Sequence, residues 1–149
     1  MTTKTNLRTE PAKMLAKFLG CKPNEIEYDK HDFNSYSYGR QEYLVVLDSV
    51  ADILAKDAIL DSLWAFNASF IVDHTREPID MKAYDVTCKA LQKMQGELCE
   101  DANTIVRALI DDLDEFVDDA IQADGRGHFL AGYDFEENEE GKYFIYRTN

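Results

Sequence analysis

The sequence predicts an α+β protein in which a small antiparallel or mixed sheet, made of a hairpin plus a C-terminal strand, packs against three to four helices. The sheet is indicated by β-rich runs at residues 35–47 and 143–147, and the helices by apolar residues that recur with a period near 3.6. The chain has 149 residues, of which 45% are hydrophobic, so we predict a single globular domain over residues 1–149.

The first predicted element is a helix over residues 11–19. Thr9 is a candidate N-cap, Pro11 suits the first turn, and Gly20 suits the position after the last turn. Apolar residues at helical spacing form its predicted buried face: Ala12, Leu15, Ala16 and Leu19.

A β-hairpin is predicted next, with its turn at Gly39 and Arg40. Glycine at the first turn position is typical of a type II′ turn. Residues 43–47 are apolar on both faces, which predicts a strand that is covered on both sides. The simplest closure of the sheet pairs this strand with the C-terminal run at residues 143–147.

Three further helical stretches are predicted. Residues 48–72 have helical spacing with a break near Asp57, and residues 78–95 form a helix that Gly96 ends. The longest helix covers residues 100–123, because apolar residues follow the helical period at positions 102, 105, 106, 109, 110, 113, 116, 117, 120 and 121.

Negative charge is distributed unevenly along the chain. The net charge is −13, and residues 97–149 hold 15 acidic and 4 basic side chains, a net of −11. Such a chain repels nucleic acid and anionic membranes, so we expect no direct nucleic-acid contact and no membrane binding. The N-terminus lacks the apolar segment of a signal peptide and the cysteines lack CxxC spacing, so we expect a cytoplasmic protein.

The densest acidic stretch lies on one side of the longest predicted helix, opposite its apolar face. A solvated helix face is the simplest interpretation. However, the pairs 111/115, 114/118 and 115/119 are like-charged, which destabilises a helix. In a continuous helix these acids would also lie in the C-terminal half, where the macrodipole disfavours them; a helix beginning near Asp111 would remove only this second objection.

The excess of carboxylates favours a surface kept for a basic partner, in which carboxylates take the place of the phosphates of a nucleic acid. We predict two acidic patches as this partner-binding surface: Asp111, Asp112, Asp114, Glu115, Asp118 and Asp119, and then Glu136, Glu137, Glu139 and Glu140.

A small ligand site is the alternative interpretation of the turn after this helix. Four side chains would line it: Asp124, Arg126, His128 and Asp134. Gly125 and Gly127 equally suit a helix stop. Residues 134–140 place oxygen ligands at alternate positions, but Gly141 falls two residues too late for a calcium loop. No nucleophile–base or metal-ligand spacing is present, so we expect no catalytic residue, no metal and no cofactor.

Two stretches resemble segments of small acidic proteins encoded by bacteriophages and plasmids. They are "SLWAFNASF" at residues 62–70 and "DGRGHFLAGYDFEENEEGKYFIYR" at residues 124–147. That group has no established activity and these segments are not functional motifs, so the resemblance assigns no site residue. It implies a mobile genetic element, where DNA-mimicking inhibitors of host defence, such as anti-restriction and anti-CRISPR proteins, are the obvious class.

These observations predict a non-enzymatic binding protein that presents a DNA-mimicking carboxylate surface to a basic, nucleic-acid-binding host defence protein. A structural or oligomerising accessory protein is the first alternative. The acidic side of the helix would then only maintain solubility, and the protein could form a homodimer. A small-ligand binder or enzyme at the turn over residues 124–134 is the second alternative.

Overall fold

The computed structural model describes residues 4–76 and 79–149, and the α+β class is confirmed. Two compact units are formed: one by the residues up to 55 together with 124–149, the other by residues 56–123. The single domain stays a prediction. Among the described residues, no helix is long and apolar enough to cross a membrane.

The first unit contains an antiparallel sheet of β1 (Glu27–Tyr28), β2 (Ser35–Tyr38), β3 (Gln41–Leu47), β4 (Asn138–Glu140) and β5 (Tyr143–Arg147). The strand order is β1-β2-β3-β5-β4. The predicted hairpin and its closure are both confirmed. Gly39 has a φ of +61°, as the first position of a type II′ turn requires, and Leu44 lies opposite Tyr146 in the β3–β5 pair.

Apolar residues cover both faces of this sheet. The helices beside this sheet in the first unit are α1 (Lys4–Leu19), the first part of α2 (Asp48–Asp61) and α7 (Arg126–Leu130). On one face Tyr43 and Val45 pack with Leu15 of α1, and on the other Leu44 and Val46 pack with Ala51 of α2. Successive side chains of β3 point to opposite faces of the sheet, and both faces are covered. This explains why consecutive residues of β3 are apolar.

The first helix is longer than predicted, because it begins at Lys4 and not at residue 11. Thr9 consequently lies inside the helix and is not its N-cap. The reason is a tertiary contact: the Arg8 guanidinium donates hydrogen bonds to the main-chain oxygens of Asp29 (2.8 Å) and Ser35 (2.7 Å), which holds the first turns in place. The predicted buried face is confirmed, and Gly20 follows the helix with a φ of +72°.

The second unit is helical, and two predicted boundaries in it are wrong. Its further helices are α3 (Ala68–Asp73), α4 (Met81–Leu98), α5 (Asn103–Leu109) and α6 (Leu113–Asp124). The break predicted near Asp57 occurs at Ser62, whose hydroxyl donates to the Ala58 carbonyl. Helix α4 runs through Gly96, and Asp80 caps its start by accepting from the Ala83 N–H at 2.8 Å. The predicted start at Pro78 lies outside the described residues.

The continuous helix predicted over residues 100–123 is also wrong. A 3-10 turn at Cys99–Ala102 leads into α5, and Ile110 then takes an extended conformation that separates α5 from α6. Ile110 forms an isolated β-bridge with Thr75, which competes with helical hydrogen bonding. The break is invisible in the apolar pattern because the step from residue 110 to residue 113 keeps the helical period.

Candidate functional site

The acidic stretch at residues 111–119 begins a new helix. One carboxylate oxygen of Asp112, Oδ1, accepts hydrogen bonds from the N–H groups of Asp114 (3.0 Å) and Glu115 (3.1 Å), so Asp112 is the N-cap of α6. Asp114 and Glu115 lie in the first turn, where the macrodipole favours negative charge. The spacing of Asp112 and Glu115 matches a capping box, and this signal could have located the helix start in the sequence.

Two other carboxylates of this stretch have internal partners. Asp114 forms a salt bridge with Lys56 of α2. Oδ2 of Asp119 lies 2.7 Å from Nε2 of His74, at the end of α3. Half of the six predicted partner-binding acids, namely the cap and these two, therefore contribute to the fold of the second unit.

The other half consists of Asp111, Glu115 and Asp118. All three side chains are exposed, and none makes a hydrogen bond or ion pair with another residue in the described parts of the chain. We call these three residues the acidic face. Glu115 and Asp118 are neighbours on consecutive turns of α6.

The second acidic patch is divided in a similar way. Glu137 is turned inward, where its carboxylate accepts hydrogen bonds from Arg126 Nε (2.9 Å), Arg126 Nη2 (3.1 Å) and the Tyr146 hydroxyl. Burial alone would raise the pKa of Glu137, but the hydrogen bonds from Arg126 and Tyr146 outweigh it and hold that pKa below its usual value. Glu140 forms a salt bridge with Lys17 at 2.9 Å. Glu136 and Glu139 are also exposed, and their side chains make no hydrogen bond or ion pair with other described residues.

Arg126, one of the predicted ligand-site residues, is occupied by internal contacts. Its side chain is 10% exposed, and Nη1 donates to Asp48 Oδ1 at 2.8 Å and to Asp52 Oδ1 at 2.9 Å. Its guanidinium also lies 4.7 Å from the centre of the Phe144 ring. These contacts join α2, α7 and β5, so Arg126 acts as a structural ion-pair centre in the first unit.

The three remaining ligand-site residues lie at separate surface positions. Asp124 is exposed at the end of α6, and His128 is exposed and stacked on Phe135, with 5.4 Å between ring centres. Oδ1 of Asp134 accepts the Glu136 N–H at 3.0 Å and stabilises a turn. Within the described residues, no hydrogen bond or ion pair joins any two of the four side chains.

Glycines explain the conformation of this turn. Gly125 has a φ of +81° directly after the last residue of α6, which confirms the predicted helix stop. Gly127 is buried in α7, and a Cβ atom there would lie 2.5 Å from the main-chain oxygen of Phe135. Gly127 is therefore required by close main-chain packing.

A cavity of about 380 Å³ lies elsewhere in the first unit, beside α1 and β3. Its walls include Leu7, Phe33 and Val46, and its charged groups are Glu10 and Lys142, whose Oε1 and Nζ atoms are 3.9 Å apart. None of the four predicted ligand-site residues lines it.

The described residues hold no group of three or more His, Cys, Asp or Glu side chains arranged to bind a metal ion. Comparison with protein-family models, with curated proteins and with solved structures found no match to this chain in any of the three.

Proposed function

We propose that this protein is a cytoplasmic, bacteriophage- or plasmid-type inhibitor that occupies the nucleic-acid-binding groove of a basic host defence protein. The acidic face at the start of α6 makes the contact, and the exposed Glu136 and Glu139 are a second contact region. Inhibition results from occupation of the groove and needs no catalytic step.

The supporting observation is the division of roles among the carboxylates at residues 111–119. Asp112, Asp114 and Asp119 have partners within the fold, whereas the side chains of the acidic face make no hydrogen bond or ion pair among the described residues. Glu115 and Asp118 lie three residues apart on α6, so their charges repel each other and destabilise the helix. A role outside the fold accounts for their presence.

The spacing of the carboxylates on α6 is similar to that of charges along DNA. Glu115 and Asp118, the two carboxylates of the acidic face that lie on α6, are three residues apart, which is about 4.5 Å along the helix axis at a rise of about 1.5 Å per residue. Successive phosphates on one strand of double-stranded DNA are about 3.4 Å apart along its axis. A basic groove that attracts phosphates would therefore attract this helix by the same Coulomb interaction.

The test is a comparison between this protein and duplex DNA as competing ligands. The immobilised protein is used to capture basic proteins from a bacterial lysate, and each captured protein is purified and assayed for displacement of labelled DNA. We expect this protein to displace DNA, and its affinity to fall at least about tenfold between about 50 and 200 mM salt. The variant D111K/E115K/D118K should bind at least about tenfold more weakly.

A matched control separates the acidic face from net charge. The variant D61K/D85K/E100K changes three exposed acids elsewhere in the second unit, and both triple variants have a net charge of −7 in place of −13. The control should bind and displace DNA like the wild type. Equal loss in both variants would mean that only total charge matters, and full binding by both would favour the accessory-protein alternative; either result contradicts the proposal.

A further inference from the structure

We propose that protonated His74 is a latch that holds α6 against the end of α3, so that the order of the acidic helix depends on the protonation of one histidine. The latch is a property of the second unit and does not depend on the proposed function. Only its consequence for a partner, through the acidic face, rests on that function.

Both nitrogen atoms of the His74 ring have hydrogen-bond acceptors as neighbours. Nδ1 lies 2.8 Å from the main-chain oxygen of Phe70, and Nε2 lies 2.7 Å from Oδ2 of Asp119. The side chain is only 12% exposed, and the ring packs against Phe70 and Phe116 at centre distances of 4.6 and 5.1 Å.

A doubly protonated ring beside an ionised Asp119 satisfies this geometry. A carbonyl oxygen and a carboxylate oxygen only accept hydrogen bonds, and a neutral imidazole has a single N–H to donate. Loss of the second proton therefore leaves a ring nitrogen lone pair facing an acceptor oxygen. The imidazolium makes both bonds, and the bond to Asp119 is charge-assisted.

The surrounding charges favour the same state. Burial of the ring would lower the pKa of His74, but the hydrogen bonds to Phe70 and Asp119, with the negative charges of Asp119 and Glu115 on α6, raise that pKa above 6.5. On α3 itself, the neighbouring carboxylate of Asp73 accepts a hydrogen bond from the Tyr84 hydroxyl of α4 at 3.0 Å.

His74 also contacts the segment that precedes α6. Its main-chain oxygen accepts the Asp111 N–H at 2.9 Å, and the next residue, Thr75, forms the β-bridge with Ile110. The side chain thus holds the second turn of α6 while the main chain holds the entry to the helix. Hydrogen exchange of the Asp111 amide therefore reports directly whether the contact between the His74 segment and the start of α6 is formed.

The sign of the pH dependence follows from the raised pKa. The stabilisation is fully present below the unfolded-state pKa of about 6.5 and is lost as the pH rises through the higher pKa of the folded protein. We therefore expect α6 to loosen as the pH rises above 6.5 and through the folded-state pKa of His74.

The experiment is an NMR titration of the full chain that follows the His74 ring and the protection factor of the Asp111 amide. We expect His74 to titrate above pH 6.5, and the protection factor to fall about tenfold as its proton is lost. A His74 that titrates at or below 6.5, or an unchanged protection factor across its titration, would overturn the proposal.

Two isosteric variants of α6 provide the second measurement. In D119N the new amide can donate to a neutral Nε2 while Nδ1 still donates to Phe70, so His74 should titrate lower and the pH dependence of Asp111 protection should disappear. D118N removes the same charge from a residue that makes no hydrogen bond to the ring, and should behave like the wild type. If D118N and D119N have the same effect, the latch is wrong, and the wild-type titration decides the matter if D119N does not fold.

Discussion

At the level of single residues, the "DGRGH" turn shows how packing determines residue type. Gly127 has room for no side chain, because the main chain of residues 135–137 passes directly against it. Arg126 beside it pairs with carboxylates from two other segments in one ion-pair centre, in which the Arg126 side chain is 10% exposed. Both roles depend on tertiary contacts and not on the local sequence pattern of the turn.

Gly127→Ala is expected to lower the free energy of unfolding by about 2–3 kcal/mol, because the added Cβ overlaps main-chain atoms that cannot rotate away. Urea unfolding followed by circular dichroism measures this change. Gly96→Ala is the matched control: nothing lies within 4 Å of its Cβ position on α4, so it should stabilise the protein by about 0.5–1 kcal/mol. A loss below about 0.5 kcal/mol for Gly127→Ala would show that the 135–137 segment yields.

At the level of elements, the separation of α5 from α6 determines how the acids are presented. It places Asp112 at an N-cap and Asp114 and Glu115 in a first turn, where negative charge is favourable. The dipole objection raised by a continuous helix therefore no longer applies. The repulsion between Glu115 and Asp118 remains.

Asp112→Ala is expected to lower the free energy of unfolding by about 1 kcal/mol, since the N–H groups of Asp114 and Glu115 lose their acceptor. Thermal and urea unfolding both report this change. Asp112→Asn keeps an acceptor oxygen and should cost little. Asp111→Ala, which removes the same charge without a capping bond, should change stability by less than about 0.5 kcal/mol; an equal loss at 111 and 112 would contradict the capping role.

At the level of the whole molecule, the net charge of −13 acts on every folded state of the chain. Self-repulsion of this kind destabilises compact structures while it keeps them soluble. Most of the excess negative charge lies in residues 97–149, which include both acidic patches, so the repulsion acts on both of them.

The melting temperature is expected to rise when the salt concentration increases from about 10 to about 100 mM, because the Debye length shortens from about 30 to about 10 Å. Differential scanning calorimetry measures the rise. Both triple lysine variants should show a smaller rise than the wild type, in contrast to the binding test, where only the acidic-face variant differs. A melting temperature that is flat or falls with salt would show that local ion pairs outweigh the repulsion.

The sequence by itself determined the α+β class, the Gly39 hairpin, the pairing of residues 43–47 with the C-terminal strand, and the buried face of the first helix. These features follow from the apolar pattern of the strands, the helical period and the residue preferences of the turn. Each of these depends on residues close in sequence or on two strongly apolar strands that pair. Only the tertiary structure decided the extended conformation of Ile110 that ends α5 and the internal roles of Glu137 and Asp119. Those depend on contacts with Thr75, Arg126 and His74, and no periodic pattern reports where a distant donor or acceptor will lie.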